Sequence, residues 1–335
     1  MRHVYIPTQI TEPDALPSDA RQCHLQGSTM GTTWSVQLIG HQGISIDFLQ
    51  QGLQEKLDQV NRQMSTWDSQ SDLCRYNQAP PNTWQELPEE CCQVLDYAIY
   101  LARQTTGAYD PAAGKLVNLW GFGPQPRPSS LPNQDHISQA MSGPGWRDLQ
   151  FDRHERRLWQ PGGLTLDLSS IAKGYAVDQL ARFLEAQHVP SYLIEVGGEL
   201  RGRGIRQDQS PWWVRIEQPD APSTDDVSEH LVALHDLSIA TSGNYRQFID
   251  VDGRRYAHTI DSSTGYPVLN NLVSVSVLHP ECMVADALAT AFTVMGDQRA
   301  LAYANEHNIA ALFVLQTDHT FSEIRSHALL AMLDE

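Results

Sequence analysis

Short strings rich in glycine, serine and threonine recur along this chain from residue 27 to residue 290, with no clean linker between them. If they serve one site, distant stretches must interleave in a single folded unit, because successive modules would hold them apart. The periodicity of the apolar residues points the same way. Strand-like and helix-like segments are mixed without a regular βαβ alternation, which predicts an α+β fold rather than a doubly wound one. The expected division is a loosely ordered polar arm over residues 1–22, which hold three prolines, and one interwoven domain over 23–335.

Leu25–Ile39 alternates around Trp34, Val36 and Leu38 and reads as one strand. Ile46, Leu49, Leu53, Leu57 and Val60 recur every three or four residues, predicting an amphipathic helix over 44–63, and a second helix is expected over about 88–104. Residues 121–133, rich in Pro and Gly, read as a loop, and Leu149–Trp159 as a hairpin. A short apolar strand at 164–168 runs into a helix over about 170–187. Strands follow at 191–196 and 212–217, then an acidic loop at 219–229 and a hairpin turning at Asp252-Gly253. A strand at 272–278, helices near 283–295 and 298–307, and strands at 311–316 and 320–325 complete the chain. No internal repeat is visible.

The formal charge of −17 repels nucleic acid and anionic lipid, so neither is expected as a partner. It repels a phosphorylated ligand too, so a nucleotide site needs local compensation from a cation, a helix N-terminus or a few placed Lys and Arg. The five cysteines form no CxxC pair and read as reduced thiols. No stretch approaches membrane-spanning length, and the first residues lack the apolar core of a signal peptide. As given, the chain reads as soluble and cytoplasmic; one whose signal had been removed would look the same.

Four strings are suited to chemistry, each with an ordinary structural alternative. In Val284–Phe292, Asp286 and Thr290 share a helix face and offer hard oxygen ligands of the kind magnesium takes. An Asp near a helix start is also simply favoured by the macrodipole. In Leu166–Tyr175, a strand ending at Asp167 meets a helix that Ser169 or Ser170 can cap, with Lys173 in its first turn. That is either a phosphate cradle or plain capping. The paired glycines of Glu195–Gly204 allow close backbone approach to a ligand or make a tight turn; they do not fit a dinucleotide fingerprint opening a helix. His258 and Ile260 point to one face of a strand, with Asp261 at its end, so His258 is a candidate base or phosphate ligand, or a hydrogen-bonded structural histidine. Trp67, in Met64–Trp67, can stack on a planar ring or fill a core.

In this order, the segments Ser28–Val36, Met64–Asn77, Thr106–Pro124, Leu166–Asp178, Leu193–Gly204, Ile239–Pro267 and Val273–Gly296 resemble the FAD:protein FMN transferase (ApbE-type) family. The strings Gly114–Pro124, Asp167–Asp178 and Ala285–Gly296 carry most of the likeness. The resemblance implies a T-fold-like core of mixed or antiparallel sheet and packed helices. It also implies a reaction in which FAD binds with Mg2+, a Thr or Ser hydroxyl of an acceptor flavoprotein attacks the FMN phosphorus, and AMP leaves. Metal positions map onto Ser170, Asp286 and Thr290; some members carry a further acid where this chain has Ala289. FAD contacts map onto Met30, Trp67, Ala108, Tyr109, Asp110, Asp167, Lys173 and Ile260; many members have Tyr in place of Trp67. His258, or failing it Asp286 or Asp261, is expected to accept the hydroxyl proton. The implied acceptor is a flavin subunit of a membrane redox complex, and relatives often work as periplasmic lipoproteins at the inner membrane. Two rival readings share the site: an FAD pyrophosphatase giving FMN and AMP, and a non-catalytic FAD-binding protein.

Overall fold

The computed structural model describes residues 2–16, 18–40, 43, 45–128, 130–219, 228–244, 248–251, 254–317 and 320–334. Its centre is an eight-stranded sheet of β1 (Arg21–Thr29), β2 (Thr32–Gly40), β3 (Ser191–Val196), β4 (Glu199–Arg203), β5 (Leu237–Gly243), β6 (Leu272–His279), β7 (Ala310–Thr317) and β8 (Thr320–Arg325). Every neighbouring pair is antiparallel, and the order across the sheet is the order along the chain. The fold is therefore α+β with an antiparallel core.

Five helices dominate the rest: α1 (Ile46–Met64), α2 (Glu89–Gln104), α3 (Ala172–Ala186), α4 (Cys282–Met295) and α5 (Asp297–Glu306). Two hairpins, β1–β2 and β3–β4, bracket α1 to α3, and two more, β5–β6 and β7–β8, bracket α4 and α5. The element order thus repeats, although the sequence shows no repeat.

Strand alternation divides the core. Trp34, Val36 and Leu38 of β2, Val275 and Val277 of β6, and Phe313 of β7 join one apolar cluster with Leu49, Leu53 and Leu57 of α1 and Leu288 and Phe292 of α4. Each fully buried side chain of this kind contributes about 1.5–3 kcal/mol. Ile39, Leu278 and Leu312 point the other way, into a second cluster with Tyr5, Trp212 and Val232. That layer is a three-stranded sheet in which Arg2–Tyr5 pairs parallel with Glu229–Leu234, itself antiparallel to Trp212–Arg215. The loose-arm expectation for residues 1–22 therefore fails at both ends. Arg2–Tyr5 is a strand with Tyr5 buried, and Arg21 already belongs to β1.

Three other local readings change. Leu25–Ile39 is two strands, because Met30 and Gly31, with φ of 47° and 72°, make a two-residue turn between them. Residues 164–168 form no strand. The Asn77 side chain binds the N–H and C=O of Leu166, while Asp167 N–H goes to Pro111 O, so no ladder is left to make. Helix α3 begins at Ala172 behind Ile171 with no side-chain cap, so neither Ser169 nor Ser170 caps it. The hairpin placed at Asp252-Gly253 is present as Phe248–Val251 against Arg254–Ala257, its turn lying outside the described residues. All five cysteines are free, and no helix among the described residues is long and apolar enough to cross a membrane.

Candidate active site

The site grows from the crossing of α3 and α4. Gly174 and Asp178, one turn apart on α3, both face α4. A Cβ on Gly174 would lie 2.4 Å from Cys282 O and 2.8 Å from Asp286 Cβ, so only glycine allows this approach. Its N–H donates to Asp286 Oδ2 at 2.9 Å. Asp178 holds the start of α4, accepting the N–H groups of Cys282 at 3.0 Å and Met283 at 2.9 Å. Helix α4 has no side-chain cap of its own, so Asp178 satisfies donors that would otherwise be orphaned. Arg201 on β4 completes the grip, donating to Asp178 at 2.8 Å and to Pro280 O at 2.9 Å.

Asp286 is only 5% exposed. Burial pushes its carboxyl pKa up, opposed by the Lys173 charge and the Gly174 N–H. Its Oδ1 takes no hydrogen bond among the described residues. Thr290, one turn further along α4 and half-buried, pairs its hydroxyl with that of Ser242 on β5 at 3.3 Å. Ser170, in the approach to α3, donates to the Tyr109 hydroxyl at 3.2 Å. Tyr109 is fully buried, which drives its phenol far above its ordinary pKa, and Asp286 and Asp167 lie close enough to add to that effect. The Tyr109 hydroxyl thus binds Ser170 and lies within electrostatic reach of Asp286 and Asp167.

Lys173 extends from the first turn of α3 to Glu199, with Nζ 2.5 Å from its carboxylate. The Gly197-Gly198 turn between β3 and β4, with φ of 60° and 100°, brings its backbone against Thr32 and the Lys173 stem. Gly197 N–H donates to Thr33 O at 3.1 Å, which sets this turn beside the Met30-Gly31 turn. Met30, Lys173 and Glu199 thus lie at one end of the sheet.

A second group borders the first through the chain after α2. Ala108, half-buried, precedes Tyr109. Asp110 binds Ala112 N–H at 2.8 Å and the Ser262 side chain; burial raises its pKa against these bonds and the Arg147 charge. Asp167 is buried and accepts Ser169 N–H at 2.8 Å. Trp120 Nε1 donates to Gly265 O at 2.8 Å, and Ile260 is buried with Trp120, Leu116 and Ile137. His258 and Ile260 do not share a strand. Arg254–Ala257 ends before His258, and Ile260–Asp261 starts a new pairing with Tyr266–Pro267, so His258 sits at the break, its ring 6.3 Å edge-on to Phe122. Asp261 Oδ1 accepts both the N–H and the hydroxyl of Ser263. Trp67 is 70% exposed just past α1, outside any core.

The donor set at Asp286, Thr290 and Ser170 fits a hard cation. It is all oxygen, Asp286 keeps Oδ1 open, and both hydroxyls are partly accessible. Among the described residues no three His, Cys, Asp or Glu side chains gather. Asp178 and Ser242 had no role in the sequence reading. The signal for Asp178 was its four-residue spacing from Gly174; Ser242 gave none.

Residues 30–313 match the ApbE family. The chain is 39% identical over 318 residues to the FAD:protein FMN transferase of Vibrio cholerae, covering 94% of each. The solved structure of flavin transferase ApbE from Vibrio cholerae superposes with a TM-score of 0.86 at 40% identity, covering 94% of this chain and 100% of that one. The apo form of Pseudomonas stutzeri flavinyl transferase ApbE also superposes with a TM-score of 0.86, at 35% identity, covering 93% of this chain and 97% of that one. A match this long, on the same fold and across every string that meets around α3 and α4, places this chain in the ApbE family.

Proposed function

We propose that this chain is a magnesium-dependent FAD:protein FMN transferase. It cleaves the FAD pyrophosphate, joins the FMN phosphate to a Thr or Ser hydroxyl of an acceptor flavoprotein, and releases AMP. The observation that carries the reading is Asp286, buried where α3 crosses α4, with Gly174 N–H on one carboxylate oxygen and the Lys173 charge acting on it. The activity in the name of the Vibrio cholerae relative agrees with it.

Asp286, Thr290 and Ser170 would hold the ion, which when bound supplies charge neutralisation at phosphate oxygens. Phosphoryl transfer needs mainly positioning and electrostatics from the protein. Lys173, held by Glu199, adds fixed positive charge. The exposed face of Trp67 is available to stack on the flavin ring, while Met30, Ala108, Tyr109, Asp110, Asp167 and Ile260 frame the rest of FAD. The acceptor oxygen forms a bond to the FMN phosphorus as the bond to AMP breaks. The bonding pair leaves with AMP, and the acceptor proton passes to His258. Asp261 is the alternative base, with both Ser263 donors on its Oδ1. The fitting acceptor is a flavin subunit of a membrane redox complex. The test is incubation with FAD, Mg2+ and a candidate acceptor. Flavin that stays on the acceptor after denaturation, with the mass of one FMN, supports transfer; free FMN and AMP alone would mean hydrolysis, and intact FAD a carrier.

A further inference from the structure

We infer that Tyr109 and Ser242 are positioning residues for the divalent cation, each orienting the hydroxyl of a cation-binding residue. The inference rests on the proposed magnesium site. A serine or threonine hydroxyl is an effective ligand only when its proton points away from the ion and its lone pairs point toward it. A free hydroxyl rotates among several settings and loses entropy on binding; one already committed to an acceptor does not.

Each of the three side-chain donors has one support. Gly174 N–H fixes Asp286 Oδ2. Tyr109 takes the Ser170 proton at 3.2 Å, leaving Ser170 Oγ lone pairs for the ion. Ser242 pairs with Thr290 at 3.3 Å, where either oxygen can donate; with a cation on Thr290 Oγ1, Thr290 becomes the donor and Ser242 the acceptor.

Both supports are rigid. Tyr109 is fully buried, and its N–H is bound by the Thr105 hydroxyl at 3.0 Å. Ser242 sits in β5, directly opposite Val275 of β6. Its neighbour Thr241 binds Ser276 instead, so strand alternation selects Ser242 as the hydroxyl that meets Thr290. Partners of this kind set ligand orientation at metal sites generally, and their loss typically weakens metal binding by roughly 10–100-fold.

The test uses Tyr109→Phe and Ser242→Ala, each deleting one oxygen, with Ser242→Thr as the conservative control. Mg2+ is titrated into metal-free protein by calorimetry, and thermal unfolding is followed with and without Mg2+. Mg2+ affinity is expected to fall by roughly 10-fold or more in the Tyr109→Phe and Ser242→Ala variants. Melting without metal should barely change, and Ser242→Thr should keep the affinity. A purely structural hydrogen bond would instead lower the metal-free melting point and leave Mg2+ affinity alone; that result overturns the inference. Should Tyr109→Phe not fold, Ser242→Ala decides. If the wild-type protein itself takes up no Mg2+, the magnesium site falls first and the inference with it, an outcome distinct from equal binding by all variants.

Discussion

Gly174 donates its backbone N–H to the Asp286 carboxylate, and a methyl group on its Cα would strike both Asp286 and the carbonyl of Cys282. The carboxylate is therefore aimed by the closeness of two helices, and the closeness depends on one missing side chain. Gly174→Ala should destabilise the protein by about 1–3 kcal/mol, the usual cost of overpacking. It should weaken Mg2+ binding as well, because the clash pushes Asp286 off its donor. Denaturant melts and calorimetry on the same samples check both parts.

Asp178→Ala removes two amide acceptors from the start of α4 and leaves Arg201 without its buried partner. Breaking such a pair costs about 3–5 kcal/mol. Asp178→Asn should cost less, since its side-chain oxygen can still take one amide. A loss under about 1 kcal/mol for the alanine variant in urea unfolding would show that Asp178 does not hold the helix.

Trp67 offers a case where binding and stability should separate. Being exposed, it should tolerate Trp67→Ala within about 0.5 kcal/mol of wild-type stability. FAD affinity should drop by the value of a stacking contact, about 1–3 kcal/mol, and Trp67→Tyr should recover most of it. Fluorescence titration with FAD reads the difference.

His258→Gln should reduce the transfer rate by roughly 10²–10⁴-fold and flatten the acid limb of its pH profile, with FAD binding little changed. A variant that transfers FMN at the wild-type rate at every pH removes His258 as the base.

The bond between Glu323 on β8 and His230 on the Glu229–Leu234 strand makes stability depend on pH. Burial alone would raise the Glu323 pKa, but the His230 hydrogen bond and the charges of His230 and Arg325 outweigh it and hold the carboxyl below its ordinary 4.5. A lowered folded value means that the ionised form stabilises the fold above about pH 4.5, and that this contribution fades as the pH falls through 4.5 and on through the lowered value. Glu323→Gln should therefore melt below wild type at pH 7, with the gap closing at acid pH.

What the sequence revealed follows from how local each cause is. The run Val284–Phe292 declared its helix and placed Asp286 and Thr290 on one face, because helical spacing is a short-range property. The β3–β4 turn was legible from paired glycines, which the positive φ values require. The turn at Met30-Gly31 was hidden, since one glycine beside a methionine is a weak signal inside a run of alternating residues. Residues 164–168 misled for the opposite reason. They have the composition of a strand, but their hydrogen bonds go to Asn77 and Pro111, far away in the chain. Likewise Ser242 meets Thr290 only because β5 lies under α4, a relation no local pattern encodes.

The doubled hairpin–helix–hairpin order divides the proposed cation's ligands unequally between two halves of the molecule. In the proposed site, residues up to β4 supply Ser170 with its support Tyr109; residues from β5 onward supply Asp286 and Thr290 with the support Ser242. A polypeptide cut between Arg203 and Leu237 would leave each fragment with an incomplete cage. Divalent-ion uptake by the mixed fragments would then vary with their concentration, and the ion would become a reporter of their association.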